Sequence, residues 1–135
     1  MHDLIKILER ENASLVVRDS EGNVHIYRDR GVSDLYRLLT REPHILSQAA
    51  IADKVVGRGA AALMILGGVK RLHANILSQK ALEFLNESTI LLSYTTLVVN
   101  IINRNGDDIC PVEKLTTPCK TPQEALQLIT TFLKG

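Results

Sequence analysis

Two charged residues stand in the most apolar part of this chain. Asp53 and Lys54 interrupt the stretch AIADKVVGRGAAALMILGG, residues 50–68, whose only other charge is Arg58. A carboxylate and an ammonium taken out of water are costly unless paired or put to use. The pair is therefore a candidate for ligand contact or, at Asp53, for proton transfer. The plain alternative is an acid serving a helix N-terminus, with the lysine as its ion-pair partner. The second candidate is Cys110, in the run Cys110-Pro111-Val112-Glu113-Lys114 that follows a polar, glycine-containing loop. A cysteine at a helix start favours its thiolate, the chemistry of a nucleophile or a redox-sensitive thiol. No histidine has a spacing that marks it as the base for such a thiol. Contact from this loop to a ligand is the stronger expectation, through Asn103, Arg104 and Glu113.

Other patterns carry less. Gly57-Arg58-Gly59 lacks both the strand–glycine–helix fingerprint of a dinucleotide site and the lysine of a phosphate loop. Its glycines read better as room for close packing, with Arg58 left as a possible anion contact. His25, His44 and His73 are scattered, and no pair has metal-ligand spacing, so no metal and no cofactor are expected. Cys119, between Pro118 and Lys120, reads as an exposed free thiol.

Elements must hold these residues in place, and the hydrophobic pattern supplies them. Residues 3–11 have the spacing of a short amphipathic helix. Residues 14–18 and 24–28 flank a turn containing Gly22 and read as a β-hairpin. Ser33 is placed to cap a helix over 34–41 that Pro43 stops. Residues 48–52 read as a buried strand or its approach, and 54–66 as a buried helix closed by Gly67-Gly68. A strand over 69–76, a helix over 79–86 capped by Ser78, and a strand over 89–95 follow. The run 97–102 leans towards strand. Pro111 opens a single helical turn, and Thr121-Pro122-Gln123-Glu124 is a capping box for a last helix to about residue 133. A hairpin followed by strand–helix units predicts a mixed sheet in a three-layer α/β/α sandwich, one domain over 1–135.

Bulk properties exclude several classes. A formal net charge of +1 gives no general attraction to nucleic acid or acidic membranes. With two Phe, three Tyr and no Trp, a base-stacking surface is not expected. The longest apolar run, 60–66, is far short of the roughly 20 residues that span a bilayer. The charged N-terminal residues lack the apolar core of a signal peptide, so a cytoplasmic protein with free thiols is expected.

The segments IADKVVGRGAAAL, GGVKRLHANILSQKALEFL and INRNGDDICPVEKL resemble an uncharacterised bacterial family, domain of unknown function 1893. The resemblance implies a cytidine-deaminase-like fold. Zinc deaminases carry H-x-E at one helix start and P-C-x-x-C at the next. Set against that pattern, the first position reads Ile51-Ala52-Asp53 and the second Ser78-Gln79-Lys80-Ala81. The metal positions then hold Ile51, Ser78 and Ala81, which cannot ligate zinc in such a site. Only Asp53 keeps an acid at the proton-shuttle position.

The resemblance thus implies a non-zinc member of that fold that binds a nucleotide or nucleotide-like small molecule. The expected pocket lies between Asp53 and Lys54, the next helix start at Ser78 and Gln79, and the loop 103–113. Two alternatives stand beside it: an enzyme that uses Cys110 as nucleophile with Asp53 or Glu113 assisting, and a structural or regulatory module with a degenerate pocket. Self-association is expected too, with the apolar helix 54–66 as the interface.

Overall fold

A computed structural model describes residues 1–29 and 31–135. The chain runs α1 (His2–Arg10), β1 (Leu15–Arg18), β2 (Val24–Tyr27), α2 (Ser33–Arg41), α3 (Pro43–Leu46), β3 (Ala50–Val56) and α4 (Arg58–Gly67). It continues with β4 (Arg71–Ser78), α5 (Gln79–Asn86), β5 (Leu91–Val98), α6 (Pro111–Thr116) and α7 (Pro122–Lys134). The five strands form one mixed sheet in the order β2-β1-β3-β4-β5. The hairpin strand β1 runs antiparallel to β3, with Leu15 opposite Asp53, whereas β3, β4 and β5 are parallel. Parallel neighbours need a crossover, and α4 and α5 supply them.

Helix α1 covers one face, where Leu4 and Leu8 pack with Val16 and Ala52. The larger core lies on the other face. There Ile51, Val56, Leu72 and Leu77 meet Leu63 and Met64 of α4, Leu35 and Leu38 of α2, and Ile129 of α7. The result is a three-layer α/β/α sandwich with one thin outer layer. No helix among the described residues is long and apolar enough to cross a membrane.

Several boundaries differ from expectation, each for a physical reason. The predicted helix 54–66 begins four residues late, because Val55 and Val56 pair with Ile76 and Leu77 and extend β3. β-Branched residues fit a pleated surface better than a helix. Gly57, extended at φ −98° and ψ −178°, is the true N-cap. Asp53 and Lys54 are consequently strand residues. The helix still ends at the double glycine, with Gly68 left-handed at φ +78°. Ser33 is the first residue of α2 and makes no capping bond; Val32 precedes it as the N-cap. Pro43 stops α2 as expected and opens the extra turn α3. Strands β4 and β5 both end later than predicted, and beyond Val98 only a single bridge, Ile102 to Ile109, remains of the apolar run 97–102.

Helix α4 is apolar because its own chain surrounds it. Residues 58–64 are all buried, with α2, α5, α6 and α7 packed around them. That overturns its expected role as an interface between copies. Small residues let the neighbours approach: a Cβ at Gly59 would lie 2.6 Å from Val112 Cγ1 and 3.2 Å from Ile129 Cδ1, and one at Gly67 would lie 2.8 Å from Leu46 Cδ1. The packing reading of the glycines therefore holds.

Candidate functional site

A cleft of about 980 Å³ opens beyond the carboxyl end of β3, the edge at which open α/β sheets receive ligands. The antiparallel hairpin brings the start of β1 (Asn12, Ser14, Leu15) and the residues after β2 (Arg28, Asp29) to the same edge. Asp53, Lys54 and Val55 come from β3, and Gly57, Gly59 and Ala60 from the turn into α4. Val32, Asp34 and Leu35 come from α2. The loop after β5 closes the far side with residues 101–105 and 110–113, and Phe132 of α7 completes the wall.

Asp53 is 93% buried and its carboxyl faces no cation among the described residues. Its Oδ1 accepts only from Val55 N–H, 3.2 Å away, an Asx-type contact. That contact falls where the strand alternation slips: Ile51 and Val56 belong to one core although five residues apart. Burial raises the Asp53 pKa from 3.8 to about 7, the local backbone N–H groups opposing it weakly. The acid can therefore hold or release a proton near neutrality. Lys54 is not its ion-pair partner; Nζ donates to Asn12 Oδ1 at 2.9 Å.

Glu113 is equally buried, at 2% exposure, and differently engaged. Oε1 accepts from Arg58 N–H and Oε2 from Ile101 N–H, each at 2.8 Å. It thus caps α4 from 55 residues downstream. The expectation of Glu113 as a ligand contact gives way to that structural role, since its oxygens already accept. A Cβ at Gly57 would lie 3.1 Å from Oε1, so Gly57 leaves room for the cap.

Arg58 points away from the cleft. Nε donates to Thr116 O at 3.1 Å, Nη1 to Lys80 O at 2.7 Å and to Glu83 Oε1 at 3.0 Å, and Nη2 to Cys119 O. The guanidinium also lies 3.7 Å over the Phe84 ring. It is a clasp between α4, α5 and the α6–α7 turn, which removes it as an anion contact. Cys119 is correspondingly buried, not exposed, and burial raises its thiol pKa.

The remaining predicted residues divide. Cys110 is the N-cap of α6 and lines the cleft as a half-buried free thiol. Among the described residues no histidine lines it with them. Asn103 lines the cleft, but its side chain is committed to its own loop, donating to Asp107 Oδ1 and accepting from Asp107 N–H. Lys114 pairs with Asp108 and pins that loop to α6. Arg104 stands at the rim, exposed. Ser78 and Gln79 are not in the cleft: Ser78 is fully buried and caps Ala81 N–H, and Gln79 is exposed. Sequence reasoning missed Asp34, Arg28, Asn12 and Ser14. Asn12, Ser14 and Arg28 reach the site because the hairpin lies antiparallel to β3, and Asp34 because α2 packs beside α4, neither of which local spacing reveals. Asp34 is buried and bonded to Arg37 Nη2 at 2.6 Å.

Residues 3–133 match the family described as Domain of unknown function (DUF1893). The chain belongs to that family. It is similar to a solved structure, a DUF1893 family protein from Thermotoga maritima, at 25% identity and a TM-score of 0.87. The similarity covers 97% of this chain and 88% of that one. No curated protein matches the chain.

The DUF1893 chain changes the register drawn against the zinc deaminases. The helix after β3 starts at Gly57-Arg58-Gly59, so the triplet Ile51-Ala52-Asp53 lies inside the strand, with Ile51 in the core. Asp53 does not occupy the helix-start position of a proton shuttle. Ser78 and Ala81 do stand at the start of α5. Among the described residues no three His, Cys, Asp or Glu side chains gather as a metal-binding group.

Proposed function

We propose that this DUF1893 protein binds a nucleotide or nucleotide-like small molecule in the cleft beside β3. The observation that carries the reading is Asp53: a carboxyl held out of water, in the wall of an open cleft, with only a local backbone donor. Such a group costs stability and is retained where it meets a ligand. Asp53 would contact the ligand's polar head, and Arg104, with Arg28 and Lys54, would face a charged tail at the rim. The non-zinc part of the reading rests on residue types, since Gly57, Gly59, Ser78 and Ala81 at the two helix starts cannot hold the metal.

Cys110 shares the cleft with Asp53, which keeps a thiol-dependent activity as a second reading. Native mass spectrometry of freshly purified protein separates the two. A nucleotide-sized mass lost on denaturation supports binding, and a covalent adduct that survives denaturation and maps to Cys110 supports the second. A bare chain that also ignores a panel of nucleosides and nucleotides in calorimetry would leave a degenerate pocket.

Self-association, if it occurs, requires a surface other than α4. Edge strand β5 is the one we propose: its sequence LLSYTTLV carries no charge, and Leu91, Tyr94 and Leu97 are exposed. Unprotected edges of this kind pair with one another. Light scattering should show a dimer that Thr95→Pro converts to monomer; a wild-type monomer at about 100 μM would overturn the proposal.

A further inference from the structure

We infer that the inner wall of the cleft recognises the N–H donors of a neutral or cationic nitrogenous head group, such as an amidine, amine or amino-heterocycle, and rejects an anion there. The inference rests on the reading of the cleft as a binding site and specifies which chemistry its inner end takes.

Three buried carboxyl side chains line the cleft: Asp34, Asp53 and Glu113, each at most 7% exposed. Among the described residues, the cations nearby do not face that end unpaired. The Arg58 guanidinium is turned into the α5–α7 side, Arg28 donates to Glu11 Oε1, and Lys54 donates to Asn12. Arg104 remains at the exposed rim. Two of the three acids are already answered, Asp34 by Arg37 and Glu113 by the N–H groups of Arg58 and Ile101. Asp53 has one backbone donor on Oδ1 and acceptor capacity to spare.

The start of α4 strengthens the case. A helix N-terminus after a parallel strand is the usual seat for a phosphate. Here a carboxylate of the same chain occupies it, because Glu113 accepts the Arg58 N–H. A phosphate entering there would meet the like charge of Glu113, which already takes the Arg58 N–H. A ligand's own N–H groups would instead meet acceptors, and a charge-assisted bond to Asp53 in a water-poor wall is the strongest single contact on offer. Any phosphate of a bound nucleotide would then sit outward, towards Arg104.

Three nearly isosteric probes test this directly: benzamidine, benzamide and benzoate, titrated into 15N-labelled protein at neutral pH. Binding should fall in that order, with benzamidine about tenfold tighter than benzoate and the largest shifts at the amides of Asp53, Val55 and Cys110. In Asp53→Asn the preference for benzamidine over benzoate should collapse to about equal. Benzoate equal to or tighter than benzamidine in the wild type would overturn the inference, a result independent of how the variant folds. Shifts confined to residues away from the cleft would also overturn it. If adenosine monophosphate shifts the cleft amides while benzamidine does not, the donor-head inference fails and the binding-site reading survives. If neither shifts them, both fail.

Discussion

Glu113 and Asp53 line the same cleft and are almost equally removed from water, yet they are settled in opposite ways. Glu113 spends both oxygens on backbone N–H groups, one at a helix start and one in a loop. Asp53 is met only by the backbone N–H groups next to it in the strand, and its pKa rises to about 7. The first arrangement is what a chain does when it needs a buried acid to hold itself together. The second leaves bonding capacity facing an opening. Burial alone therefore says little about role; what each oxygen already accepts says more.

The contrast can be broken or sharpened by substitution. Glu113→Ala should cost the most, about 3–5 kcal/mol in urea unfolding, because two N–H groups lose their acceptor and the α4 cap is gone. A loss below about 1 kcal/mol would show that Glu113 is not the keystone described. Asp53→Asn should act in the other direction at high pH. The folded protein holds its proton more tightly than the unfolded chain does, since burial lifts the acid above 3.8 to about 7. Stability is thus full below about pH 4, falls as pH rises to about 7 and is flat beyond. The variant should lose that slope and gain about 4 kcal/mol over wild type at pH 8. An unchanged slope would mean that another group carries it.

Gly59→Ala should cost about 1–2 kcal/mol by overpacking against Val112 and Ile129, without altering the pH slope. Arg104→Ala should leave stability within about 0.5 kcal/mol, as exposed substitutions do. It should weaken ligands that carry an anionic tail by severalfold in calorimetry. A severalfold loss for uncharged ligands as well would place Arg104 at the head-group end instead.

The legible part of the molecule was its periodic part. The hairpin, the two strand–helix units, the Ser78 cap and the Thr121 capping box all follow from local patterns and appear where residue chemistry puts them. The boundary between β3 and α4 was hidden because both neighbours are buried, and an unbroken apolar run carries no period that separates strand from helix. That one ambiguity moved Asp53 from helix start to strand and misaligned the comparison with zinc sites. Asp53 and Cys110 were recognisable from residue type and setting. The roles of Glu113 and Arg58 were not, since each depends on partners more than 20 residues away.

The clasp between residue 58 and residues 113–119 also orders events in time. As the chain is made from its N-terminus, the whole sheet and both crossover helices emerge before the carboxylate that caps α4 and the carbonyls that receive Arg58. Until then the central helix has a bare end and a guanidinium with no buried acceptors on its α6–α7 side. The residues from about 110 onward therefore complete the packing around α4. A nascent or proteolysed fragment ending before about residue 110 should remain loosely packed and exposed to proteases, however complete its sheet.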